Sequence, residues 1–250
     1  MPRLELSAVT PRVLCVRRPR YLSNSYIVHD DTGVVLVDAG MEADGSDMLA
    51  GLREIGRDLR DVTAILLTHW HNDHSSGAEA LRQATNATVY YHRNEHPNFS
   101  KTAVAGLRAK IADVIPETGV FAAVKAVLGE SPPRAIERAQ FVGDGDVIES
   151  RFRVIETPGH SAGHVSFFYE PDRVLFAGDA LAVCGGRLWF MSRFLTDSIS
   201  AARASMSTCV DVEADAICPG HRGPLNAGLA NHRATLRQYL QSGKPWPLIS

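Results

Sequence analysis

A short apolar segment that runs straight into a histidine-rich sequence is the feature that most limits what this chain can fold into. Val62–Leu67 is almost wholly apolar. Such a short run predicts a strand that is buried on both faces. Residues 68–74, Thr-His-Trp-His-Asn-Asp-His, follow at once. Sites in α/β proteins are usually built at strand ends, so this junction is the first candidate site.

The histidine-rich sequence has the composition and spacing of a metal site. His69 and His71 are two residues apart, so on extended backbone both imidazoles point the same way. Asp73 and His74 lie where the chain turns, and could face a second ion. Histidine is the commonest ligand for zinc-like ions, and aspartate adds neutralising charge. The alternative, a polar loop that merely happens to be rich in histidine, fits its position at a strand end less well.

Three further strand-like segments each deliver a potential ligand behind a glycine. Strand 152–156 leads to Thr-Pro-Gly-His160, strand 174–177 to Gly-Asp179, and strand 215–218 to Pro-Gly-His221. Glycine lets the backbone adopt unusual angles and approach closely, which helps to aim a side chain. Each of these motifs alone is weak. Together with residues 69–74 they predict one site that is assembled from four strand ends.

The rest of the chain alternates strand-like and helix-like segments, which predicts an α/β (α+β) fold. We expect further strands at 13–17, 21–29, 34–38, 88–92 and 165–169, and helices at 45–59, 76–84, 198–209 and 227–241, the last with Leu225-Asn226 as its N-cap. Residues 94–140 interrupt this alternation, because two helical patterns, Lys101–Val114 and Val120–Leu128, follow each other without a strand between them. We interpret residues 94–140 as a helical insertion on the rim that could cover the site. With no repeat or low-complexity linker, residues 1–250 are predicted to form a single domain.

Composition and charge restrict the partners. The formal net charge of -2 gives no global field that would gather nucleic acid or acidic membranes. No segment approaches the roughly 18 apolar residues of a membrane span, and the N-terminal sequence lacks a signal-peptide pattern. The four cysteines are widely spaced, so we expect them to be reduced. We therefore predict a cytoplasmic protein with a small-molecule substrate, with homo-oligomer formation left open.

The ordered motifs resemble those of the metallo-β-lactamase superfamily. They are His-x-His-x-Asp-His (69–74), Thr-Pro-Gly-His (157–160), Phe-x-Gly-Asp (176–179) and Pro-Gly-His (219–221), preceded by Val-Asp-Ala-Gly (37–40). The resemblance implies an αββα sandwich with metal ions in a cleft at one edge of its two sheets. It is far more specific for the fold and the metal site than for a substrate.

The resemblance also assigns the ligands. It implies that His69, His71 and His160 hold one ion, that Asp73, His74 and His221 hold the other, and that Asp179 bridges them. The expected cofactor is two zinc ions, although iron or manganese is chemically admissible. A water that bridges two such ions has a lowered pKa and supplies hydroxide to attack a carbonyl. Asp73 is then the predicted catalytic residue, which orients the water and carries its proton.

The remaining histidines are predicted to be structural or exposed. His164 lies four residues after His160, a spacing that would suit a second ligand. In this superfamily, however, the second histidine more often supports the loop than binds metal. The other positions are His29, His92, His96 and His232.

The substrate is narrowed by departures from known members of the superfamily. The commonest β-lactamases carry cysteine near position 179, glyoxalase II has a helical domain after the last ligand, and acyl-homoserine lactonases carry a tyrosine where Ala180–Val183 stands here. We expect hydrolysis of an ester, lactone or thioester with a lipophilic portion. A β-lactam-hydrolysing enzyme and a mononuclear iron persulfide dioxygenase are the alternatives. Leu188–Met191 and Phe194 would form either core packing or an apolar wall for the substrate.

Overall fold

The computed structural model describes residues 4–19, 22–85, 87–99 and 135–246. Thirteen strands within these ranges are connected by hydrogen bonds. The strands are β1 (Glu5–Thr10), β2 (Val13–Arg18), β3 (Ser23–Asp30), β4 (Gly33–Val37), β5 (Val62–Leu66), β6 (Thr88–His92), β7 (Ala139–Val142), β8 (Val147–Ile148), β9 (Phe152–Glu156), β10 (Val165–Tyr169), β11 (Val174–Cys184), β12 (Arg187–Trp189) and β13 (Ala216–His221). The main path runs β7-β6-β5-β4-β3-β13-β11-β10-β9-β8. β1 and β2 continue from β3, and β12 pairs with β11.

The path divides into two halves that meet at one point. β1 to β7 form the N-terminal half and β8 to β13 the C-terminal half. Their only ladder contact within the described residues is the antiparallel pair His221 and Ser23. Because the remaining rungs between the halves are absent, the two sheets can separate and stack face to face. The pair that joins them contains one of the predicted ligands.

Alternating side chains along the strands build three apolar layers. In β4, Val35 and Val37 enter the central core, whereas Leu36 faces the helices of its own half. In β11, Phe176 enters the same central core and Leu175 faces the helices of the other half. This period of two is what a strand with both faces buried requires. The layers confirm the predicted αββα sandwich.

Helices cover both outer faces. Those of the N-terminal half are α1 (Ser46–Glu54), α2 (Asn72–Ser75), α3 (Ala78–Thr85) and α4 (His96–Phe99), and those of the C-terminal half are α5 (Ile199–Asp211) and α6 (Leu229–Gln241). Met48 and Leu81 bring α1 and α3 into the first outer core. Met206 and Leu236 bring α5 and α6 into the second.

Two predicted helix boundaries are wrong. The helix predicted over 45–59 ends at Glu54, because Gly56 adopts φ 65° and its amide bonds back to the Arg53 carbonyl. Such a left-handed glycine is a common helix stop. The last helix starts at Leu229 behind Gly228 rather than at 227, and Leu225 instead exchanges backbone hydrogen bonds with Ile217.

The strands predicted at 174–177 and 215–218 are longer than expected. β11 continues through Asp179 to Cys184, and β13 continues to His221. Both continue because they pair in parallel with each other through two irregular steps, at Gly178 with Pro219 and at Ala182 with His221. The two ligand types therefore lie within strands and not beyond them.

The predicted insertion is only partly covered by the described residues. Its two predicted helices, Lys101–Val114 and Val120–Leu128, lie outside them. Its end at 140 is wrong, because Ala139–Val142 forms β7 and pairs in parallel with β6. In the part of the chain that is described, no helix is both long and apolar enough to cross a membrane. All four cysteines are free, as predicted.

Candidate metal centre

The loop after β5 presents four of the seven predicted ligands. Its entry is fixed by Asp38, which follows β4 with φ 61° and is buried. One oxygen of Asp38 accepts hydrogen bonds from the Thr68 amide (2.9 Å) and hydroxyl (3.0 Å). The other lies 2.9 Å from His74 Nδ1. One carboxylate thus holds both ends of the ligand loop.

The other three ligands come from separate places in the C-terminal half. His160 follows β9 through Gly159, where φ is 136° and any Cβ would collide with the backbone of Ala202 in α5. Asp179 lies within β11 and His221 ends β13. A Cβ on Gly220 would collide with the Asp179 carboxylate and the His74 ring. Glycine is therefore required wherever the backbone passes close behind a ligand.

The structure brings all seven predicted side chains together in two groups. Within each group one ligand atom per residue lies within 4.8 Å of all the others. The first group is His69, His71, His160 and Asp179, and the second is Asp73, His74 and His221. In the first, His71 Nδ1 is 3.1 Å from His69 Nε2 and 2.9 Å from His160 Nε2. In the second, His221 Nε2 is 3.3 Å from Asp73 Oδ2 and 3.5 Å from His74 Nε2.

Asp179 lies between the two groups. Its Oδ2 is 3.1 Å from His160 Nε2 in the first group and 3.3 Å from His221 Nε2 in the second. Its Oδ1 is 3.6 Å from His74 Nε2. Asp179 is thus a carboxylate of the first group that also reaches two histidines of the second. The two strands that carry Asp179 and His221 are direct neighbours, which is why these side chains meet.

Burial and charge prepare these side chains to bind cations. Burial lowers the pKa of His69 and of His160 well below the ordinary value, which keeps both imidazoles neutral. Burial alone would raise the pKa of Asp179, but the neighbouring His221 and His160 hold this pKa well below the ordinary value. Neutral imidazoles and ionised carboxylates are the forms in which these groups bind metal ions.

His74 sits at the centre of the negative charge. Burial would lower its pKa, but three nearby carboxylates, of which Asp73 acts most strongly, raise it well above the ordinary value. The three carboxylates therefore favour positive charge at this position, supplied either by a proton on His74 or by a bound cation that replaces that proton.

The donor set fits metal ions. Asp179 Oδ1 is buried and has no hydrogen-bond partner within the protein. Some imidazole nitrogens face each other directly. His69 Nε2 and His71 Nδ1, for example, are 3.1 Å apart. A buried polar atom without a partner is costly, and a bound cation would remove the cost. Five imidazoles and two carboxylates are a suitable set for zinc, iron or manganese.

His164 supports the centre without belonging to either group. Its Nε2 accepts a hydrogen bond from the Asp179 amide (2.8 Å), and its Nδ1 lies 2.8 Å from the Thr157 hydroxyl. The ring is therefore neutral with the proton on Nδ1, and burial lowers its pKa to about 3. The sequence analysis predicted a supporting role for His164, but not the contact with Asp179. It assigned no role to Asp38 or Thr68, although an aspartate at the end of a buried strand is itself typical of a functional site.

The other candidate residues are separate from the centre. His92 contacts Glu156, His96 contacts the Tyr91 hydroxyl, and neither His29 nor His232 belongs to the two groups. Of the apolar segment 188–191, Leu188, Phe190 and Met191 are buried, and the Trp189 ring packs on Phe190 and Tyr239. Core packing therefore accounts for this segment. Phe194 differs, because it is 82% exposed.

Comparison with known proteins finds a consistent set of relatives. The family model of the metallo-beta-lactamase superfamily matches residues 18–221. A hydroxyacylglutathione hydrolase of Rhodopseudomonas palustris (strain BisB18) is 32% identical over 166 residues, which are 66% of this chain and 50% of that protein. The probable metallo-hydrolase YflN of Bacillus subtilis (strain 168) is 25% identical over 241 residues, 87% of this chain and 86% of that protein.

Solved structures of the superfamily also resemble this chain. The metallo-beta-lactamase family protein TTHA1429 from Thermus thermophilus aligns with a TM-score of 0.65 at 27% identity, and the match covers 94% of this chain and 81% of that one. The chain spans about half the length of the hydroxyacylglutathione hydrolases that it matches.

Proposed function

Because this chain belongs to the metallo-β-lactamase superfamily, we propose that it is a two-metal hydrolase that cleaves a thioester or a comparably activated ester or lactone. One observation carries the proposal: Asp179 lies between two groups of ligand-type side chains, with one oxygen 3.1 Å from His160 and 3.3 Å from His221. A carboxylate in this position can be shared by two neighbouring cations and offset part of their charge.

The two groups divide the ligands as follows. His69, His71 and His160 would hold one ion, Asp73, His74 and His221 the other, with Asp179 shared. Two bound ions, zinc in our proposal, would lower the pKa of a water and polarise the carbonyl that it attacks.

Asp73 is the proposed catalytic residue. Its side chain is 14% exposed and that of Asp179 is 2% exposed, so Asp73 is the carboxylate of the centre that solvent and substrate reach. It accepts a hydrogen bond from the attacking water and orients it. The water oxygen bonds to the thioester carbonyl carbon, and the carbon–sulfur bond breaks. Asp73 carries the water's proton to the departing sulfur, so that a carboxylic acid and a thiol leave.

Two observations support an acyl substrate with a lipophilic portion. The relatives in Rhodopseudomonas palustris and Cereibacter sphaeroides are named hydroxyacylglutathione hydrolases, and such hydrolases cleave thioesters. Phe194 is exposed, and three residues further on the Asp197 amide donates to the His160 carbonyl (3.2 Å), so the segment that carries Phe194 leads to the centre. An exposed aromatic ring beside a polar centre suits an acyl chain.

The test begins with the metal content of protein purified without added metal or chelator. The same preparation is then offered a hydroxyacyl thioester of glutathione, an aliphatic lactone and a β-lactam, and oxygen uptake is followed with glutathione persulfide. We expect about two metal ions per chain, thioester or lactone hydrolysis, and no oxygen uptake. One iron per chain with persulfide-dependent oxygen uptake would replace the proposal by the dioxygenase, and fast turnover of the β-lactam alone would replace it by a β-lactamase.

A variant pair locates the chemistry. Asp73→Ala should abolish most turnover. Asp211→Asn alters a surface carboxylate that pairs with Arg237, and should leave turnover unchanged. Full activity in the Asp73→Ala protein would contradict the role proposed for this residue.

A further inference from the structure

One buried carboxylate near the centre belongs to neither ligand group. Glu95 follows β6 in a single turn of 3-10 helix and is 1% exposed. None of the motifs that point to the metal site includes it. Burying an ionised carboxylate is costly unless several donors surround it, so its neighbours reveal what it is for.

Glu95 binds the loop that carries His160. Its Oε1 accepts hydrogen bonds from the Ser161 hydroxyl (2.8 Å) and the Gly163 amide (2.6 Å). A Cβ on Gly163 would lie 2.8 Å from the same oxygen, so this loop can approach only because residue 163 is glycine. The adjacent Asn94 side chain adds a 3.4 Å contact to the Ala162 carbonyl.

Glu95 itself belongs to the N-terminal half. It follows β6, and β6 pairs in parallel with β5, the strand that leads to His69 and His71. Burial raises the pKa of Glu95, and the hydrogen bonds from Ser161 and Gly163 oppose that rise. Glu95 Oε2 is buried and has no hydrogen-bond partner, so the carboxylate engages the His160 loop through Oε1.

We propose that Glu95 is a positioning residue that clamps the His160 loop to the end of β6 in the N-terminal half and so fixes His160 within the first ligand group. The three histidines of that group come from opposite halves of the sandwich, and the strand pairing that joins the halves lies at Ser23 and His221, on the second group. Glu95 supplies a connection on the first group. The inference rests on the proposed metal centre, but it concerns metal affinity and not the identity of the substrate.

Glu95→Gln tests the clamp with little change of shape. The glutamine oxygen can still accept from Ser161 and Gly163, but both hydrogen bonds lose the negative charge that strengthens them. Its NH₂ group also takes the place of the buried Oε2, which has no partner in the protein. Glu79→Gln is the matched control. Glu79 is also buried and hydrogen-bonded, but its partners are Arg82 and Gln83.

The measurements are Co²⁺ and Zn²⁺ affinity by competition with a chelator, the visible absorption of the Co²⁺ form, and thermal unfolding of the metal-free proteins. We expect Glu95→Gln to weaken binding of one ion about 10- to 100-fold and to change the Co²⁺ spectrum, as loss of a supporting group does. Glu79→Gln should leave affinity and spectrum unchanged, even where it lowers the melting temperature as much.

Unchanged affinity and spectrum in Glu95→Gln would overturn the inference and leave Glu95 a purely structural residue. If that protein does not fold, Ser161→Ala removes a donor from the other side of the clamp, and is expected to shift affinity in the same direction by a smaller factor. Wild-type protein that binds metal without hydrolysing any acyl substrate would refute the proposed function alone. Wild-type protein that binds no metal would refute both.

Discussion

The two halves of the sandwich build the same centre in different ways. The N-terminal half supplies His69, His71, Asp73 and His74 from six consecutive residues, 69–74, which form the loop after β5 and the start of α2. The C-terminal half supplies one residue from each of three places, namely the loop after β9, the middle of β11 and the end of β13. The first set depends on local backbone conformation. The second depends on the register between strands that are distant in sequence.

The supporting contacts follow the same division. In the N-terminal half Asp38 touches a ligand side chain directly, through His74 Nδ1. In the C-terminal half His164 holds Asp179 by its backbone amide and leaves the carboxylate untouched. A contact to the ligand ring fixes orientation and proton position together, whereas a contact to the backbone fixes only position. We therefore expect the two halves to respond differently when their supports are removed.

The largest effect should come from Asp179, where the two halves meet. Asp179→Ala removes the carboxylate that both ligand groups share, so it should lose at least one metal ion. Its kcat/KM should fall by more than the roughly 100-fold that loss of a supporting group costs. Elemental analysis and kinetics measure both effects. Two retained ions with full turnover would show that the groups are independent and that no bridge is needed.

The next effect should come from Asp38→Asn in the N-terminal half. An amide at this position cannot accept from both the Thr68 amide and His74 Nδ1, so one buried donor is left unsatisfied. We expect metal affinity to fall about 10- to 100-fold, and the free energy of unfolding to fall by about 1–3 kcal/mol. Chelator competition and denaturant unfolding measure the two. If affinity is preserved, Asp38 orients nothing and the contact serves only the fold.

A smaller effect on metal binding is expected from His164→Ala in the C-terminal half. It leaves the buried Asp179 amide without its partner, whereas the Thr157 hydroxyl keeps its 3.0 Å contact with Ser166. This should cost about 1–3 kcal/mol of stability. Metal affinity should fall by about 10-fold, the lower end for supporting groups, since the carboxylate itself keeps its neighbours. The same two assays apply. A loss of affinity larger than that of Asp38→Asn would reverse the comparison and make the backbone position of Asp179 the more sensitive feature.

Sequence patterns predicted the parts of this architecture that are local. The bounds of β6, β9 and β10 agree with prediction because a short apolar run between breakers specifies a strand by itself. The candidate ligands, which the structure brings together in two groups, were recognisable because each follows a strand or a glycine turn in the sequence. The extensions of β11 and β13 were not predicted, because Gly178 and Pro219 interrupt the pattern and only the pairing between the two strands carries them through.

Supporting residues were the least predictable. Glu95 resembles any exposed glutamate in sequence, and its burial depends on Ser161 and Gly163, which lie 66 and 68 residues away. The hydrophobic periodicity of the sequence around Glu95 cannot indicate a contact with residues so far away in the chain. Asp38 was noticed as part of a motif, but its role became clear only when His74 was placed beside it. The ligands were thus easier to find than the residues that hold them.

The last prediction concerns Asp30, which connects the two halves without contacting any candidate ligand. Asp30 lies at the end of β3 opposite to Ser23, and contacts Arg151 Nη1 (2.5 Å) and the Tyr169 hydroxyl (3.1 Å) of the C-terminal half. Burial would raise the pKa of Asp30, but Thr32 and Arg151 hold it well below the ordinary 3.8. This contribution to stability is present above pH 3.8 and is lost as the pH falls further toward the folded-state pKa.

Asp30→Asn, which is uncharged at every pH, should be less stable than wild type at pH 7 by about 1.5–3 kcal/mol. The difference should shrink as the pH falls from about 4 to about 2.5, because the Asp30 carboxylate of the unfolded wild-type chain binds protons in this range whereas that of the folded protein stays ionised. Denaturant unfolding across this range measures it, with Asp211→Asn as a control whose exposed pair should contribute under about 1 kcal/mol. Metal affinity should not change. A fall in affinity would mean that this distant edge sets the spacing of the halves at the metal centre.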